Sequence, residues 1–334
     1  MDLILLVMDL VFPAVILVVL LVILAPYFIY KFVNKILRMF TMEVLLGKVV
    51  LITGASSGIG EKLAYEYAQK GARLALVARR EKKLQEVADK ARELGSLDVI
   101  TVCADVSKSN DCKRFVEETV NHFGRLDHLV NNAGIVSAFY FEEYTDIANT
   151  LPVMDVNFWG SVYTTQFALP HLKKSKGKIV AIASPSGWLY GPGMSIYAAS
   201  KAALVNFYDT LRVELGSSVK ITIASPGFTE SEMSQGKHLT TEGVVEVDRE
   251  KLDALIGNFP VKSAKGCAKN IVKAVCRGDR NITDPSFFRI VYVCKVFIPE
   301  VLEWFFHVNF VPSTTMKNAT SINVSDNNNN KKSI

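Results

Sequence analysis

Ser184, Tyr197 and Lys201 are the residues of this sequence whose types and spacing could do chemistry. Lys201 follows Tyr197 by four positions, so on a helix both side chains project from one face, one turn apart. An ammonium group beside a phenol favours the phenolate and lowers the tyrosine pKa from its usual value of about 10. Such a phenol could exchange a proton with a carbonyl or alcohol oxygen, which Ser184 could hydrogen-bond.

The surrounding segments predict a strand and a helix that position these side chains. The apolar run Lys178–Ala183 is typical of a buried strand and would place Ser184 at its carboxyl end, where open α/β sheets bind ligands. Alanines and Leu204 around Tyr197 and Lys201 favour a helix. A Tyr-x3-Lys pair alone is usually a solvated helix pair, and a serine after a strand is usually a cap or turn residue. The catalytic interpretation therefore depends on the rest of the chain.

A glycine-rich turn upstream predicts a phosphate-binding site. The apolar run Val49–Thr53 leads into this turn, and a helix is expected over Lys62–Lys70. Glycines let the backbone approach a ligand closely, and the unpaired N–H groups at a helix start attract pyrophosphate. Such a turn is a weak signal alone, but this one opens a strand–helix–strand pattern. The candidate cofactor-binding residues of the turn are Gly54, Ser56, Ser57, Gly58, Ile59 and Gly60.

Two arginines follow the second predicted strand, Arg73–Ala78. In dinucleotide-binding folds, an acidic residue about 20 positions beyond the glycines holds the ribose 2′-hydroxyl of NAD. Arg79 and Arg80 stand there instead, and a guanidinium matches a 2′-phosphate in charge and geometry. NADP(H) is therefore expected over NAD(H). The alternative is that one or both arginines are solvated at the start of the next helix.

Residues after the later predicted strands could line the same site. Asp105 could accept from the adenine amino group or cap the next helix. Asn157 is expected inside a helix, where an amide is mildly unfavourable and could hold a water or a kink. The turn Pro226-Gly227 and Thr229 could reach a nicotinamide carboxamide, or form an ordinary turn. The remaining cofactor candidates are Val106, Asn132, Ala133 and Gly134.

Together these residues resemble the short-chain dehydrogenase/reductase family. The resemblance covers roughly residues 47–278. Its motifs follow in order: Thr53–Gly60, Asp105, Asn131–Gly134, Asn157, Ser184, Tyr197–Lys201 and Pro226-Gly227. The resemblance implies one Rossmann-like α/β domain with a doubly wound parallel sheet. It also implies a catalytic tetrad of Asn157, Ser184, Tyr197 and Lys201, in which Ser184 and Tyr197 meet the substrate. Lys201 would also hold the nicotinamide ribose, and Asn157 would support a relay water.

The apolar amino terminus and the Ala78-Arg79 pair resemble the 11β-hydroxysteroid dehydrogenase branch, and most of all plant steroleosin-type enzymes. This implies an NADP(H)-dependent oxidoreductase that interconverts a hydroxyl and a ketone on a lipophilic, sterol-like substrate. Analogy with the family also suggests a homodimer. Some NADP-using members carry a lysine in the glycine turn, where this chain has Ser56-Ser57, so Arg79 would do more of the cofactor selection. The alternative is a structural or interaction protein of lipid droplets that keeps the dinucleotide fold as a scaffold.

Residues Leu3–Tyr30 are almost wholly apolar and predict a membrane anchor. The window Val11–Tyr30 is long enough to span about 30 Å of hydrocarbon. Acidic residues precede it and basic residues follow it, whereas a secretory signal peptide begins with positive charge. Because positive residues stay on the cytosolic side, the catalytic domain is expected in the cytosol. The anchor is expected in the endoplasmic reticulum, a lipid droplet, or both. A single span and a loop bent at Pro13 and Pro26 both fit, but only the loop suits a droplet monolayer.

The predicted organisation is an anchor at 1–40, a catalytic domain at 41–284, an apolar segment at 285–311 and a disordered polar tail at 312–334. The segment 285–311 is expected to lie in the membrane interface beside the substrate mouth, or to cover the core or contact a second subunit. The five cysteines show no disulfide or metal spacing, so no metal is expected. A spread net charge of +5 does not suggest nucleic acid binding.

Overall fold

The computed structural model describes residues 2–249 and 260–311. The predicted polar tail, 312–334, lies outside the described residues. The strands are β1 Val49–Thr53, β2 Arg73–Ala78, β3 Asp98–Cys103, β4 His128–Asn131, β5 Lys178–Ile182, β6 Lys220–Pro226, β7 Lys237–Leu239, β8 Val245–Val247 and β9 Asn281–Asp284. The α-helices are α1 Asp2–Phe40, α2 Gly58–Ala68, α3 Glu81–Glu93, α4 Ser109–Phe123, α5 Leu151–Met154, α6 Gly160–Ser175, α7 Ser195–Leu215, α8 Ala264–Arg277, α9 Phe288–Phe297 and α10 Pro299–Phe310.

Seven of these strands form one parallel sheet, in the order β3-β2-β1-β4-β5-β6-β9. β1 lies inside the sheet, and its Val50 lies opposite Leu74 of β2 on one side and His128 of β4 on the other. The chain winds outward through β2 and β3 and then returns to β4 beside β1. This reversal opens a crevice at the carboxyl ends of β1 and β4, where such sheets bind ligands. The predicted Rossmann-like doubly wound sheet is confirmed.

The sheet is buried on both faces because helices cover each of them. Val49 and Leu51 of β1 pack in a core cluster that includes Phe115 of α4 and Tyr208 of α7. Val50, the neighbour between them on the opposite face, is also fully buried. Strands buried on both faces read as continuous β-branched and apolar runs rather than alternating ones, which explains why the sequence pattern identified them.

Helix α2 begins earlier than expected. The sequence predicted a helix over Lys62–Lys70, whereas α2 begins at Gly58, inside the glycine turn, and ends at Ala68. Ser57 precedes its first residue with an extended backbone. The first N–H groups of α2 therefore belong to the glycine turn itself, which is the arrangement that binds phosphate.

The amino-terminal helix α1 runs without interruption from Asp2 to Phe40, with Pro13 and Pro26 inside it. It belongs to a different compact unit from the sheet. Its stretch Ile4–Asn34 is long and apolar enough to cross a membrane, with a mean hydropathy of 3.0, and in the part of the chain that the structure describes none of it is buried. A signal sequence would satisfy the same test of length and composition.

Candidate active site

The three side chains with the suggestive spacing meet at the carboxyl end of β5. The hydroxyl of Ser184 accepts a hydrogen bond from the Ser186 N–H at 3.2 Å and also hydrogen-bonds the phenol of Tyr197. Tyr197 and Lys201 leave one face of α7 and are 7% and 4% exposed. The Lys201 Nζ lies 5.7 Å from the centre of the Tyr197 ring and donates to the Ile182 carbonyl at 3.0 Å. A hydroxyl, a phenol and an ammonium group therefore share one buried corner.

Burial controls the ionisation of this pair. Burial raises the pKa of Tyr197 to about 12, although the hydrogen bond with Ser184 lowers it in part. Burial also lowers the pKa of Lys201 from 10.5 to about 8. The sequence predicted that Lys201 lowers the pKa of Tyr197, and for the protein without a cofactor this prediction was wrong. The reason is that removal from water disfavours the charged form of each group. The phenol is thus held in its protonated form, which is the form that donates a proton.

Asn157 lies within a π-helical turn, Asp155–Trp159, and is fully buried. Its Nδ2 donates to the Ile135 carbonyl and the Ser200 hydroxyl, both at 2.9 Å, and its Oδ1 accepts from the Ile135 N–H at 2.8 Å. The π-turn agrees with the expected helix irregularity. The side-chain amide is engaged by the protein itself. A β-carbon on Gly134 would lie 3.2 Å from Asn157 Oδ1 and 3.5 Å from Lys201 Nζ, so Asn157 positions the backbone that passes Lys201.

The glycine turn is tightly packed against the end of β4. Gly54 has a φ of +65°, and a β-carbon there would lie 2.8 Å from the Cα of Ala133. A β-carbon on Gly60 would lie 2.3 Å from the Gly54 carbonyl oxygen. The Asn132 Nδ2 donates to the carbonyls of Thr53 at 3.0 Å and Gly54 at 3.2 Å. The turn is therefore a narrow cradle beside the crevice of the sheet, and it fits the phosphates of a dinucleotide.

Arg79 and Arg80 have different surroundings. Arg79 is 59% exposed, and its Nη1 lies 3.8 Å from the Oδ2 of Asp105. Asp105 accepts from the N–H of Ser107 at 3.0 Å and from its hydroxyl at 2.8 Å, which forms a turn. It does not cap the next helix, as one sequence-based alternative had it, because α4 begins at Ser109 with Lys108 at its N-cap. Arg80 instead reaches back to the glycine turn, where its Nη2 donates to the hydroxyl of Ser57 at 2.7 Å.

Glu232 is a site residue that sequence reasoning missed. Its two carboxylate oxygens accept from the Arg80 Nη1 at 2.6 and 2.7 Å. Lys83 and Lys237 each donate to it at 2.9 Å. Burial would raise the pKa of Glu232, but the hydrogen bonds from Arg80, Lys237 and Lys83 outweigh it and hold the pKa at about 2. The 152 positions between Arg80 and Glu232 left no local signal of this contact.

The carboxyl end of β6 meets the carboxyl-terminal helices. A β-carbon on Gly227 would lie 2.3 Å from Cε2 of Phe288, so a larger residue after Pro226 would displace the Phe288 ring. Thr229 is buried and donates from its hydroxyl to the Gly227 carbonyl at 3.0 Å. Apolar residues of α9 and α10 line the same cavity as Tyr197: Val291, Leu302, Phe305, Phe306 and Phe310. The sequence had placed segment 285–311 beside the substrate mouth as one of two alternatives.

One cavity of about 480 Å³ brings nearly all of the predicted residues together. Its lining includes Gly54, Ser56, Ser57, Gly58, Ile59, Arg79, Arg80, Asp105, Val106, Asn132, Ala133, Gly134, Ser184, Tyr197, Lys201, Pro226, Gly227 and Thr229. Gly60 and Asn157 lie outside this lining and act on it through Gly54 and Ile135. A phosphate cradle, a proton-donating corner and an apolar wall are therefore parts of one space.

Comparison with known proteins gives a consistent result. The family model for short chain dehydrogenases matches residues 48–242. The chain is 55% identical over 300 residues to 11-beta-hydroxysteroid dehydrogenase 1A of Arabidopsis thaliana, covering 90% of this chain and 86% of that protein. It is 54% identical over 328 residues to 11-beta-hydroxysteroid dehydrogenase A of Arachis hypogaea, covering 98% and 94%.

Solved structures show the same fold. A short chain dehydrogenase/reductase from Burkholderia phymatum in complex with NAD superimposes with a TM-score of 0.69 at 25% identity, covering 78% of this chain and 96% of that chain. An alcohol dehydrogenase from Thermococcus sibiricus complexed with 5-hydroxy-NADP gives a TM-score of 0.58 at 25% identity, covering 71% and 94%.

The parallel sheet, the glycine cradle and the matched family model define the class. The chain belongs to the short-chain dehydrogenase/reductase family, as the motifs predicted. Within the family it falls in the 11β-hydroxysteroid dehydrogenase-like branch. It is accordingly an oxidoreductase whose substrate is a small molecule.

Proposed function

We propose that this protein is a membrane-anchored, NADP(H)-dependent oxidoreductase that interconverts a hydroxyl and a ketone on a lipophilic, sterol-like substrate. The observation that carries the proposal is the buried corner of Ser184, Tyr197 and Lys201, which opens into the same cavity as the glycine turn and the apolar side chains of α9 and α10. That combination suits a nucleotide and an apolar carbonyl compound in one site.

The residues present fit a dinucleotide. The cradle around Gly54, Gly58 and Gly60 leaves room only for a backbone without β-carbons, as close approach to pyrophosphate requires. Lys201, whose Nζ lies near Gly134, would hold the nicotinamide ribose. Arg79, exposed at the end of β2, would face the adenine ribose and favour its 2′-phosphate. When bound, the nicotinamide supplies or accepts the hydride.

The proton donor follows from the burial of Tyr197, because burial keeps its phenol protonated. In the direction of ketone reduction, the carbonyl carbon gains the hydride and the carbonyl oxygen gains the phenolic proton of Tyr197. The Ser184 hydroxyl hydrogen-bonds that oxygen, and the ammonium of Lys201 stabilises the phenolate that remains. Asn157 keeps the Gly134–Ile135 backbone beside Lys201. Oxidation of an alcohol reverses each transfer.

The apolar surfaces support a membrane setting. Helix α1 exposes its apolar side chains over Ile4–Asn34, so it needs an apolar environment outside the protein. Its continuity supports a single span rather than a bent loop, and a single span suits the endoplasmic reticulum membrane better than a droplet monolayer. The basic residues after its apolar stretch support a cytosolic catalytic domain. Phe297 of α9 and Trp304 of α10 are 77% and 65% exposed, which suits contact with lipid or with the second subunit of a homodimer.

A substrate panel tests the proposal. The detergent-solubilised full chain is incubated with steroid ketones, retinal and long-chain ketones, each with NADPH or NADH, and the matching alcohols with NADP or NAD. We expect turnover of at least one steroid with NADPH preferred, measured from the nicotinamide absorbance. Preference for NADH would contradict the role of Arg79. Nucleotide binding without turnover of any compound would favour a scaffold role.

A further inference from the structure

Glu232 lies where cations gather at the adenine end of the predicted cofactor site. Arg80 and Lys83 come from the start of α3, while Lys237 begins β7, and all three donate to the Glu232 carboxylate within 2.9 Å. Arg80 and Glu232 both line the cavity that contains the glycine turn. A guanidinium with added ammonium groups is a donor set that binds phosphate in proteins.

Arg80 has no donor nitrogen left for another anion in this arrangement. Its Nη1 binds both oxygens of Glu232, its Nη2 donates to Ser56 at 3.0 Å and Ser57 at 2.7 Å, and its Nε reaches Ser56 at 3.3 Å. An anion can therefore reach the guanidinium of Arg80 only by displacing one of its present acceptors, which are the hydroxyls of Ser56 and Ser57 and the Glu232 carboxylate. The carboxylate is the charged member of this set, and an anion that binds Nη1 takes its place.

The charges favour such an exchange. One carboxylate faces Arg80, Lys83 and Lys237, which leaves an excess of positive charge in the cluster. A phosphate monoester carries about −1.5 to −2 at neutral pH and has three acceptor oxygens. It thus balances the cluster better than the single charge of Glu232.

The segment that carries Glu232 also covers the glycine turn. A β-carbon on Gly58 would lie 3.0 Å from the β-carbon of Ser231. The Ser231 N–H donates to the hydroxyl of Ser234 at 2.8 Å, which closes a short turn around Glu232. The Glu232 carboxylate therefore connects this segment to the start of α3 through Arg80 and Lys83.

We propose that Glu232 is an internal placeholder for the 2′-phosphate of NADP(H): the phosphate displaces its carboxylate from Arg80 and Lys83, and Lys237 remains with Glu232 on the departing segment. Glu232 is thereby a specificity-determining residue. NAD(H), which lacks the phosphate, leaves the carboxylate in place. The inference rests on the proposed use of NADP(H).

Titration with two mononucleotides tests the exchange without catalysis. 5′-AMP and 2′,5′-ADP differ only by the 2′-phosphate, and each is titrated into the full chain by calorimetry. For the wild type we expect 2′,5′-ADP to bind more tightly. In Glu232→Gln the competing charge is gone, so the affinity for 2′,5′-ADP should rise about threefold to tenfold, as expected for partly exposed charge pairs. The affinity for 5′-AMP should not change.

Glu230→Gln is the matched control, because it removes an exposed carboxylate two positions away on the same segment. It should leave both affinities unchanged. Lys83→Met gives a second, independent measurement: it should weaken 2′,5′-ADP and spare 5′-AMP, and it decides the matter if Glu232→Gln fails to fold.

Three results would overturn the exchange. The first is that the wild type binds the two nucleotides with equal affinity. The second is that folded Glu232→Gln binds 2′,5′-ADP no more tightly than the wild type, and the third is that Lys83→Met leaves the affinity for 2′,5′-ADP unchanged. Failure of the proposed function looks different, because it shows as absence of hydride transfer with any panel substrate. Equal affinity for the two nucleotides together with turnover by NADH would contradict the exchange at Glu232 but would still support an oxidoreductase activity.

Discussion

At the scale of single residues, the decisive fact is that Tyr197 and Lys201 are buried together. Each is pushed toward its neutral form, so the protein alone holds a protonated phenol beside a lysine whose pKa is about 8. The ammonium form of Lys201 therefore gains most when negative charge develops on the phenol, which is when ketone reduction needs it.

Replacing Tyr197 with phenylalanine removes only the hydroxyl. If that group transfers the proton, kcat should fall about a hundredfold to ten-thousandfold while nucleotide affinity stays close to that of the wild type. Steady-state rates and calorimetric titration of NADPH provide the two readouts. Tyr65→Phe, a change of the same size outside the cavity lining, is the control. A Tyr197→Phe variant with wild-type turnover would remove the phenol from the mechanism.

Lys201 predicts a pH dependence of stability. Its pKa in the folded chain, about 8, lies below the ordinary 10.5, so between these values the unfolded chain binds a proton that the folded chain has lost. The free energy of unfolding therefore rises with pH, by about 2 kcal/mol between pH 7 and 10. Urea unfolding of Lys201→Met should lack this rise, whereas the exposed Lys174→Met should retain it. Parallel curves for wild type and Lys201→Met would refute the argument.

At the scale of elements, the glycine turn and α2 form a unit with the end of β4. The turn works because Gly54 and Gly58 adopt positive φ and because β-carbons would be crowded at three positions. Gly54 faces the backbone of Ala133, Gly58 faces the β-carbon of Ser231, and Gly60 faces the carbonyl of Gly54 itself. The strand order places these backbones side by side, since β1 and β4 are neighbours.

Gly54→Ala and Gly124→Ala separate conformational strain from crowding. Both residues have positive φ, +65° and +75°, but a β-carbon meets nothing within 4 Å at Gly124 and lies 2.8 Å from Ala133 Cα at Gly54. Gly124→Ala should cost about 1 kcal/mol of stability, and Gly54→Ala about 2–4 kcal/mol. Only Gly54→Ala should weaken NADPH binding, by about tenfold or more. If the two variants lose the same free energy of unfolding and the same affinity for NADPH, crowding at the glycine turn is unimportant.

At the scale of the whole molecule, the long exposed apolar helix α1 is the feature that supports the proposed membrane attachment. Among the described residues, the stretch Ile4–Asn34 of this helix is apolar and unburied. The outer faces of α9 and α10 are also apolar and exposed. The proposed membrane attachment can therefore be tested separately at α1 and at the outer faces of α9 and α10.

The double substitution Leu17→Arg and Leu21→Arg tests the anchor in the full chain. Each arginine near the helix centre costs about 2.5–3.5 kcal/mol in a bilayer, so the variant should leave the membrane fraction after an alkaline wash. Glu117→Arg, an exposed change on α4, should stay with the membranes like the wild type. If the double variant also stays, another surface such as α9 and α10 holds the protein to the membrane.

The sequence by itself determined the sheet, the glycine turn and the Ser184–Tyr197–Lys201 array. These features depend on local spacing: buried strands read as apolar runs, and two residues four apart share a helix face. The membrane-length helix was visible for the same reason, since hydropathy along one segment needs no tertiary contact.

Only the tertiary structure decided the rest. The Glu232 cluster, the contact of Phe288 with Gly227 and the apolar wall from α9 and α10 join residues far apart in the chain. The direction of the Tyr197 pKa was also beyond the sequence, because spacing shows that a lysine is near but not how much water both groups lose. Local secondary structure depends on neighbouring residues, whereas burial and long-range pairing exist only once the chain has folded.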